Sequence, residues 1–208
     1  MNFLKCLCLM FKSNGGGSWA EQNKPDWVFI RELEGFLSTG YVPKDPDKND
    51  NSGVTIGAGF DLGQQGITGL RGMGLSQGLC EKLQPYLGLQ GYKARNFIKA
   101  HPLKLGAAEL TELDEKVKAS YFSKIEREYN DASDYTFSFL PSEVQTVILS
   151  VGFQYGSLKR VPKFKEYAIK GMWKSLANEL ENFGDAYPKR RCREAAYLRA
   201  YLEKGKGD

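Results

Sequence analysis

Glu34-Gly35, Thr55-Ile56-Gly57 and Asp61 are the residues of this chain whose types and order suit proton chemistry. Cleaving a glycosidic bond needs two oxygen-bearing groups on opposite sides of a cleft. One protonates the leaving oxygen, and the other activates a water or captures the sugar cation. A glutamate ending a helix, opposite a hairpin that presents a threonine hydroxyl and an aspartate, supplies both. The plainer reading makes Glu34 a surface acid and Asp61 a turn residue. Helical angles leave both open, because Glu34 lies beside Trp27 and Ile30 while Glu32 has Val28 and Phe36 as apolar neighbours. Histidine occurs once, at His101, which removes zinc sites built on two or three histidines. A serine or cysteine triad would have to form around that imidazole. The chemistry therefore falls to carboxylates, with no metal and no cofactor expected.

The remaining motifs read as structure. Gly57, Gly59 and Gly63 form G-x-G-x-x-x-G, too long for the dinucleotide fingerprint and lacking its βαβ setting, and no phosphate-binding P-loop occurs. These glycines shape a hairpin instead. Asp45, Asp47 and Asn49 begin like a calcium loop, but Asp50 stands where glycine is needed and Ile56 where the bidentate glutamate belongs. A solvated acidic turn explains them. His101, before Pro102, is a turn or cap residue. Cys6, Cys8, Cys80 and Cys192 show neither ligand spacing nor a disulfide framework. Free thiols are expected, a single Cys80–Cys192 bridge staying open.

The elements that must position these groups follow from periodicity. Asp26 is a good N-cap, and Trp27, Ile30, Leu33 and Leu37 recur at helical spacing, which predicts a helix over 27–37, ending near Gly35. Residues 40–63 read as short strands joined by turns. Eight glycines between residues 53 and 74 make that stretch tight backbone geometry. Leu110, Leu113, Val117, Tyr121 and Ile125 line one helix. Ser142 and Gln145 read as a capping box opening a buried helix through Val144, Ile148 and Val151. Phe164, Tyr167, Ala168, Met172, Leu176 and Leu180 mark another, closed by Gly184, and Ala195, Leu198 and Leu202 a last one. The fold class is α+β, mostly α: a small N-terminal sheet surrounded by helices.

Length and charge bound the rest. The chain has 208 residues, 41% hydrophobic and 26% charged, and reads as one folded unit over 26–208 behind a leader over 1–25 with a Gly/Ser linker. No apolar run approaches the ~18–20 residues that span a bilayer, so no integral membrane segment is expected. The apolar stretch of the leader is shorter than a secretory signal's, with no cleavage site, so synthesis in the cytoplasm is expected. Residues 155–208 hold 13 basic and 7 acidic side chains, +6, leaving −2 for the remainder of a chain at +4. Those cations lie among acids on amphipathic helices. That pattern fits a solvated face, or attraction to an anionic wall polymer, better than nucleic-acid binding.

The order helix–Glu34-Gly35, then Gly40-Tyr41, then Thr55-Ile56-Gly57-Ala58-Gly59 resembles the active-site segment of phage-type lysozymes. The fuller string Gly40-Tyr41-Val42-Pro43 and Ser52 to Gln64 is similar to the muramidase domain of pesticin-like bacteriocins and related toxins. Gly152-Phe153-Gln154-Tyr155-Gly156 resembles the phage enzymes' cleft-facing Phe-Gln segment. Trp173 with its following helix, and Tyr187-Pro188-Lys189-Arg190, resemble their closing helices and Pro-x-Arg turn. The resemblance covers about residues 26–203.

It implies a lysozyme-like fold and a peptidoglycan hydrolase that cuts between N-acetylmuramic acid and N-acetylglucosamine. Glu34 would be the general acid, Thr55 would orient the water, and Asp61 would be the second carboxylate. Phage lysozymes place their aspartate nine residues after the glutamate, where this chain has Pro43, so Asp45 and Asp47 stay open as substitutes. Arg190 matches an arginine that approaches the catalytic glutamate, and Gln154 and Tyr155 would contact sugar. Burial against Trp27 and Ile30 would raise the pKa of Glu34 and Arg190 would lower it; sequence leaves that balance open. Inversion is the implied outcome, with the Glu34 and Asp61 carboxyls about 6.5–9.5 Å apart. The rivals are a lytic transglycosylase and a non-catalytic wall-binding module. The implied setting is a monomer acting in the periplasm, as a holin-released endolysin or a delivered toxin, the latter implying a cognate immunity protein.

Overall fold

A computed structural model describes residues 23–43 and 51–205. The leader to residue 22, Asp45, Asp47, Cys6 and Cys8 lie outside the described residues. Packing is already under way at Asn23 and Lys24, whose carbonyls accept hydrogen bonds from the Gln145 amide and the Ser142 hydroxyl.

Asp26 opens helix α1 (Trp27–Glu34), its carboxylate accepting the Phe29 N–H at 2.9 Å. Gly35 ends the helix at φ +73°, ψ 174°, a backbone conformation essentially reserved for glycine. The helix therefore stops short of residue 37. Leu37, expected on its apolar face, instead starts β1 (Leu37–Tyr41) and is half exposed. Strands β1, β2 (Thr55–Gly57) and β3 (Phe60–Asp61) form one antiparallel sheet in that order. Thr55 pairs directly with Asp61, so both side chains project from one sheet face.

The glycine-rich stretch is less uniformly turn than expected. It contains α2 (Ile67–Gly72), anchored by buried Leu70, because a single apolar anchor outweighs the propensity cost of two solvent-facing glycines. Helices α3 (Gln77–Leu83) and α4 (Gly91–Ala100) complete this lobe around Val54, Ile56, Phe60, Leu62, Leu79 and Leu83. His101 is the C-cap of α4 and stacks near Phe97.

Helix α5 (Ala107–Asn130) is the predicted amphipathic helix and ties two cores together. Over 24 residues it spans about 36 Å. Its Leu110, Leu113 and Val117 enter the sheet lobe's core, and its Ile125 and Tyr129 enter a second core. That second core is built on α6 (Ser142–Tyr155), which is buried from Val144 to Gly152. The expected capping box is absent. Pro141 holds the cap position, Ser142 reaches back to Lys24, and Gln145 is spent on the carbonyls of Asn23 and Leu140.

The single helix expected over 164–180 is two, α7 (Pro162–Ile169) and α8 (Trp173–Glu181). Gly171 breaks them at φ +67°, while apolar spacing runs on through the turn. Helix α9 (Pro188–Lys204) packs along α8 and α6 and closes the lobe. The whole is α+β, mostly α, with a three-stranded sheet at one end.

Candidate active site

A cleft of about 770 Å³ lies between the two cores, with Glu34 and Asp61 both on its walls. Glu34 is the last residue of α1, and its side chain is 11% exposed. Its Oε2 points across to the β2–β3 turn, so close that a Cβ on Gly59 would lie 3.6 Å from it. Oε1 pairs with the Arg190 guanidinium. Arg190 is itself fixed, donating to the Ser150 carbonyl at 3.0 Å, the Ser150 hydroxyl at 3.1 Å and Glu194 Oε1 at 3.0 Å. The contest left open by the sequence is decided here. Burial raises the Glu34 carboxyl above the ordinary glutamate range, more than the Arg190 hydrogen bond and charge lower it.

Asp61 is held by backbone. Its Oδ1 accepts the Gly63 N–H at 2.8 Å, capping the turn Leu62–Gln64, and its Oδ2 accepts the Gly53 N–H at 3.2 Å. Gly53 has no space for a side chain, since a Cβ would fall 2.3 Å from Asp61 Oδ1 and 2.4 Å from Gly63. Thr55 sits beside Asp61 on the hairpin but is only 4% exposed, and its hydroxyl donates to the Gly53 carbonyl at 3.3 Å. The structure thus brings Glu34, Asp61 and Arg190 onto one cleft, while Thr55, the cross-strand partner of Asp61, is buried and does not line it.

Gln154 and Tyr155 line the same cleft at the end of α6. Their polar ends are engaged by the protein: Gln154 Oε1 accepts from Arg191, and the Tyr155 hydroxyl donates to Asp185 at 2.8 Å. Three cleft tyrosines had no role assigned from sequence. Tyr41 on β1 and Tyr187 before α9 stand exposed at the rim, and Tyr121 rises from α5. Burial raises both the Tyr41 and the Tyr121 hydroxyl, and the charges of Glu34 and Asp61 raise them further. The Gly40-Tyr41 pair was visible in the sequence. Tyr187 comes from the opposite lobe, and no local pattern could pair it with Tyr41.

Among the described residues no group of three His, Cys, Asp or Glu side chains could hold a metal ion, and no helix is long and apolar enough to cross a membrane. Cys80 is buried and Cys192 exposed, both as free thiols. His101 lies outside the cleft.

A family model described as "Pesticin: Bacterial toxin homologue of phage lysozyme, C-term" matches residues 24–174. A search of curated proteins returns no match. Glu34, Thr55, Asp61, Gln154 and Tyr155 fall inside the matched span, whereas Arg190 and Glu194 lie beyond it.

Proposed function

This chain belongs to the pesticin family of bacterial toxin homologues of phage lysozyme, and on that premise we propose that it hydrolyses the β-1,4 bond between N-acetylmuramic acid and N-acetylglucosamine in peptidoglycan. The observation that carries this reading is a buried glutamic acid on one cleft wall with a second carboxylate on the same cleft. Arg190 occupies Oε1 of Glu34, so the transferable proton sits on Oε2, which faces the hairpin. Burial raises the Glu34 carboxyl above the ordinary glutamate range, the direction a general acid requires. Glu34 gives it to the glycosidic oxygen as the bond to the anomeric carbon breaks.

Asp61 supports the positive charge that develops on the sugar ring and receives the proton of the attacking water. Thr55, packed beside it and bonded to the Gly53 carbonyl, braces the hairpin that holds Asp61 against that water. Direct attack by water inverts the anomeric centre. Gln154, Tyr155 and Arg190 form the sugar-facing floor. Acid–base hydrolysis of this kind calls on no metal or cofactor. The setting that fits is a monomeric toxin made in the cytoplasm, carried by another apparatus to the wall and restrained by an immunity protein that plugs the cleft.

Purified sacculi test the reading. Wild-type protein should clear turbidity and release fragments with reducing N-acetylmuramic acid ends. Glu34→Gln should lose at least about 10²–10⁴ in rate. Fragments ending in an anhydro sugar would mark a transglycosylase instead. Binding without clearing, unaffected by Glu34→Gln, would leave only a wall-binding module.

A further inference from the structure

Beneath Glu34 lies a chain of charges that hydrolysis does not use directly. Arg190 joins Glu34 to Glu194; Arg191 joins Glu194 to Asp185, its Nε 2.9 Å from the aspartate. Glu194 is wholly buried and Arg191 is 1% exposed. The Ser150 hydroxyl also donates to Glu194, so both carboxylate oxygens are engaged. Three carboxyls and two guanidiniums make this cluster. With every carboxyl ionised it carries one excess negative charge away from water. With Glu34 protonated it is neutral. A buried unbalanced charge is costly, so the arithmetic favours the proton on Glu34.

We propose that Glu194 is a positioning residue for the catalytic acid: a buried counter-charge that divides the charge of Arg190 and so keeps the proton on Glu34. This rests on Glu34 being the proton donor. The family match ends before α9 and assigns Glu194 nothing. Repulsion from Glu194 is among the causes that raise Glu34, after burial. Asp185 is the constant member of the set. Its burial, which would raise it, is outweighed by the Tyr187 N–H, the Tyr155 hydroxyl and the Arg191 guanidinium, which hold it low. Other elements add few charges. The cleft carries Tyr41 from β1, Asp61 from β3, Tyr121 and Lys124 from α5, Arg160 from the turn after α6, and Tyr187; α6 offers Arg190 only the Ser150 hydroxyl and carbonyl.

The experiment follows the Glu34 carboxyl directly, by NMR of its carboxyl carbon across pH in wild type, Glu194→Gln and Glu194→Asp, beside the pH profile of sacculus clearing. Glu194→Gln should lower the Glu34 midpoint by roughly one pH unit, a tenfold drop in proton affinity, and move the basic limb of the profile down with it. Glu194→Asp keeps the charge and should leave the midpoint near wild type. A Glu34 midpoint unchanged in Glu194→Gln, or lowered equally in Glu194→Asp, overturns the proposal. Should wild type clear no sacculi, the muramidase reading fails by itself, and the carboxyl titration still decides whether Glu194 holds the proton.

Discussion

Arg190 and Glu34 stand 156 residues apart in sequence and meet in an ion pair at the inner wall of the cleft. Their contact gives one oxygen of the acid a fixed donor and leaves the other facing substrate. Removing Arg190 has two consequences of known sign. Glu194, fully buried, loses a partner, and breaking such a pair costs about 3–5 kcal/mol. Glu34 loses the two largest effects that favour its ionised form, the hydrogen bond and the charge of Arg190, and keeps only the weaker pull of Arg191. Arg190→Met should therefore be strongly destabilised in chemical denaturation. Whatever activity survives should extend to higher pH than in wild type. Arg190→Lys keeps the charge but not the fork that reaches Glu34, Ser150 and Glu194 together, and should show a smaller shift in the same direction.

Glu34 also sets a stability cost that grows with pH. A carboxyl raised in the folded state contributes stability that is complete below its unfolded pKa, near 4.5, and lost as pH rises through the folded value. Glu34→Gln removes that loss and leaves the charge cluster beneath it neutral. The variant should be more stable than wild type near neutral pH by about 0.5–2 kcal/mol, the gap closing in acid. Denaturant midpoints measured at both ends of the range check this. A gap independent of pH would mean that Glu34 titrates alike in the folded and the unfolded chain, with no net rise on folding.

Asp61 has a structural and a chemical task, which two substitutions separate. Asp61→Asn keeps an N-cap oxygen for Gly63 but sets its amide nitrogen against the Gly53 N–H, so it should cost about 1–3 kcal/mol. Clearing of sacculi should nevertheless fall at least about 10²-fold if Asp61 is the second carboxylate. Gly53→Ala would do the reverse in order of cause. Its Cβ would overlap the Gly63 backbone at 2.4 Å and Asp61 at 2.3 Å, distorting the loop at a cost of about 1–3 kcal/mol or more. Clearing that falls no further in Asp61→Asn than in Gly53→Ala would reduce Asp61 to a turn residue.

What the sequence disclosed follows from how local each signal is. Asp26, Gly35 and the glycine hairpin act within a few residues, and so the Glu34 helix end and the strands opposite it were legible. The stop at Gly35 holds, but the span over 27–37 overshoots it because Leu37 continues the apolar period past the glycine. Gly171 is passed over in the same way between Ala168 and Met172. The Ser142–Gln145 pattern failed for the opposite reason: both side chains found partners in residues 23 and 24, 118 to 122 positions away. Arg190 was reached through resemblance alone. Glu194 was not reached at all, because an acid on a basic helix looks like a surface ion pair until its burial is known.

Gly152 offers a last test, of how the cleft floor is held. A Cβ there would lie 2.7 Å from Ile125 Cδ1 and 2.9 Å from its Cγ1, where α6 crosses α5. Ile125 is fully buried, and core interiors are close-packed. Gly152→Ala must then push α6 outward, at about 1–3 kcal/mol. The next three residues, Phe153, Gln154 and Tyr155, line the cleft and move with it. KM for soluble glycan fragments should rise, and the pH profile should move as well, because Ser150 on the same helix holds both Arg190 and Glu194. Pairing the change with Ile125→Val frees one methyl at the crossing and should restore part of both losses. A double variant no better than the single one would show that the two helices do not bear on each other at this point.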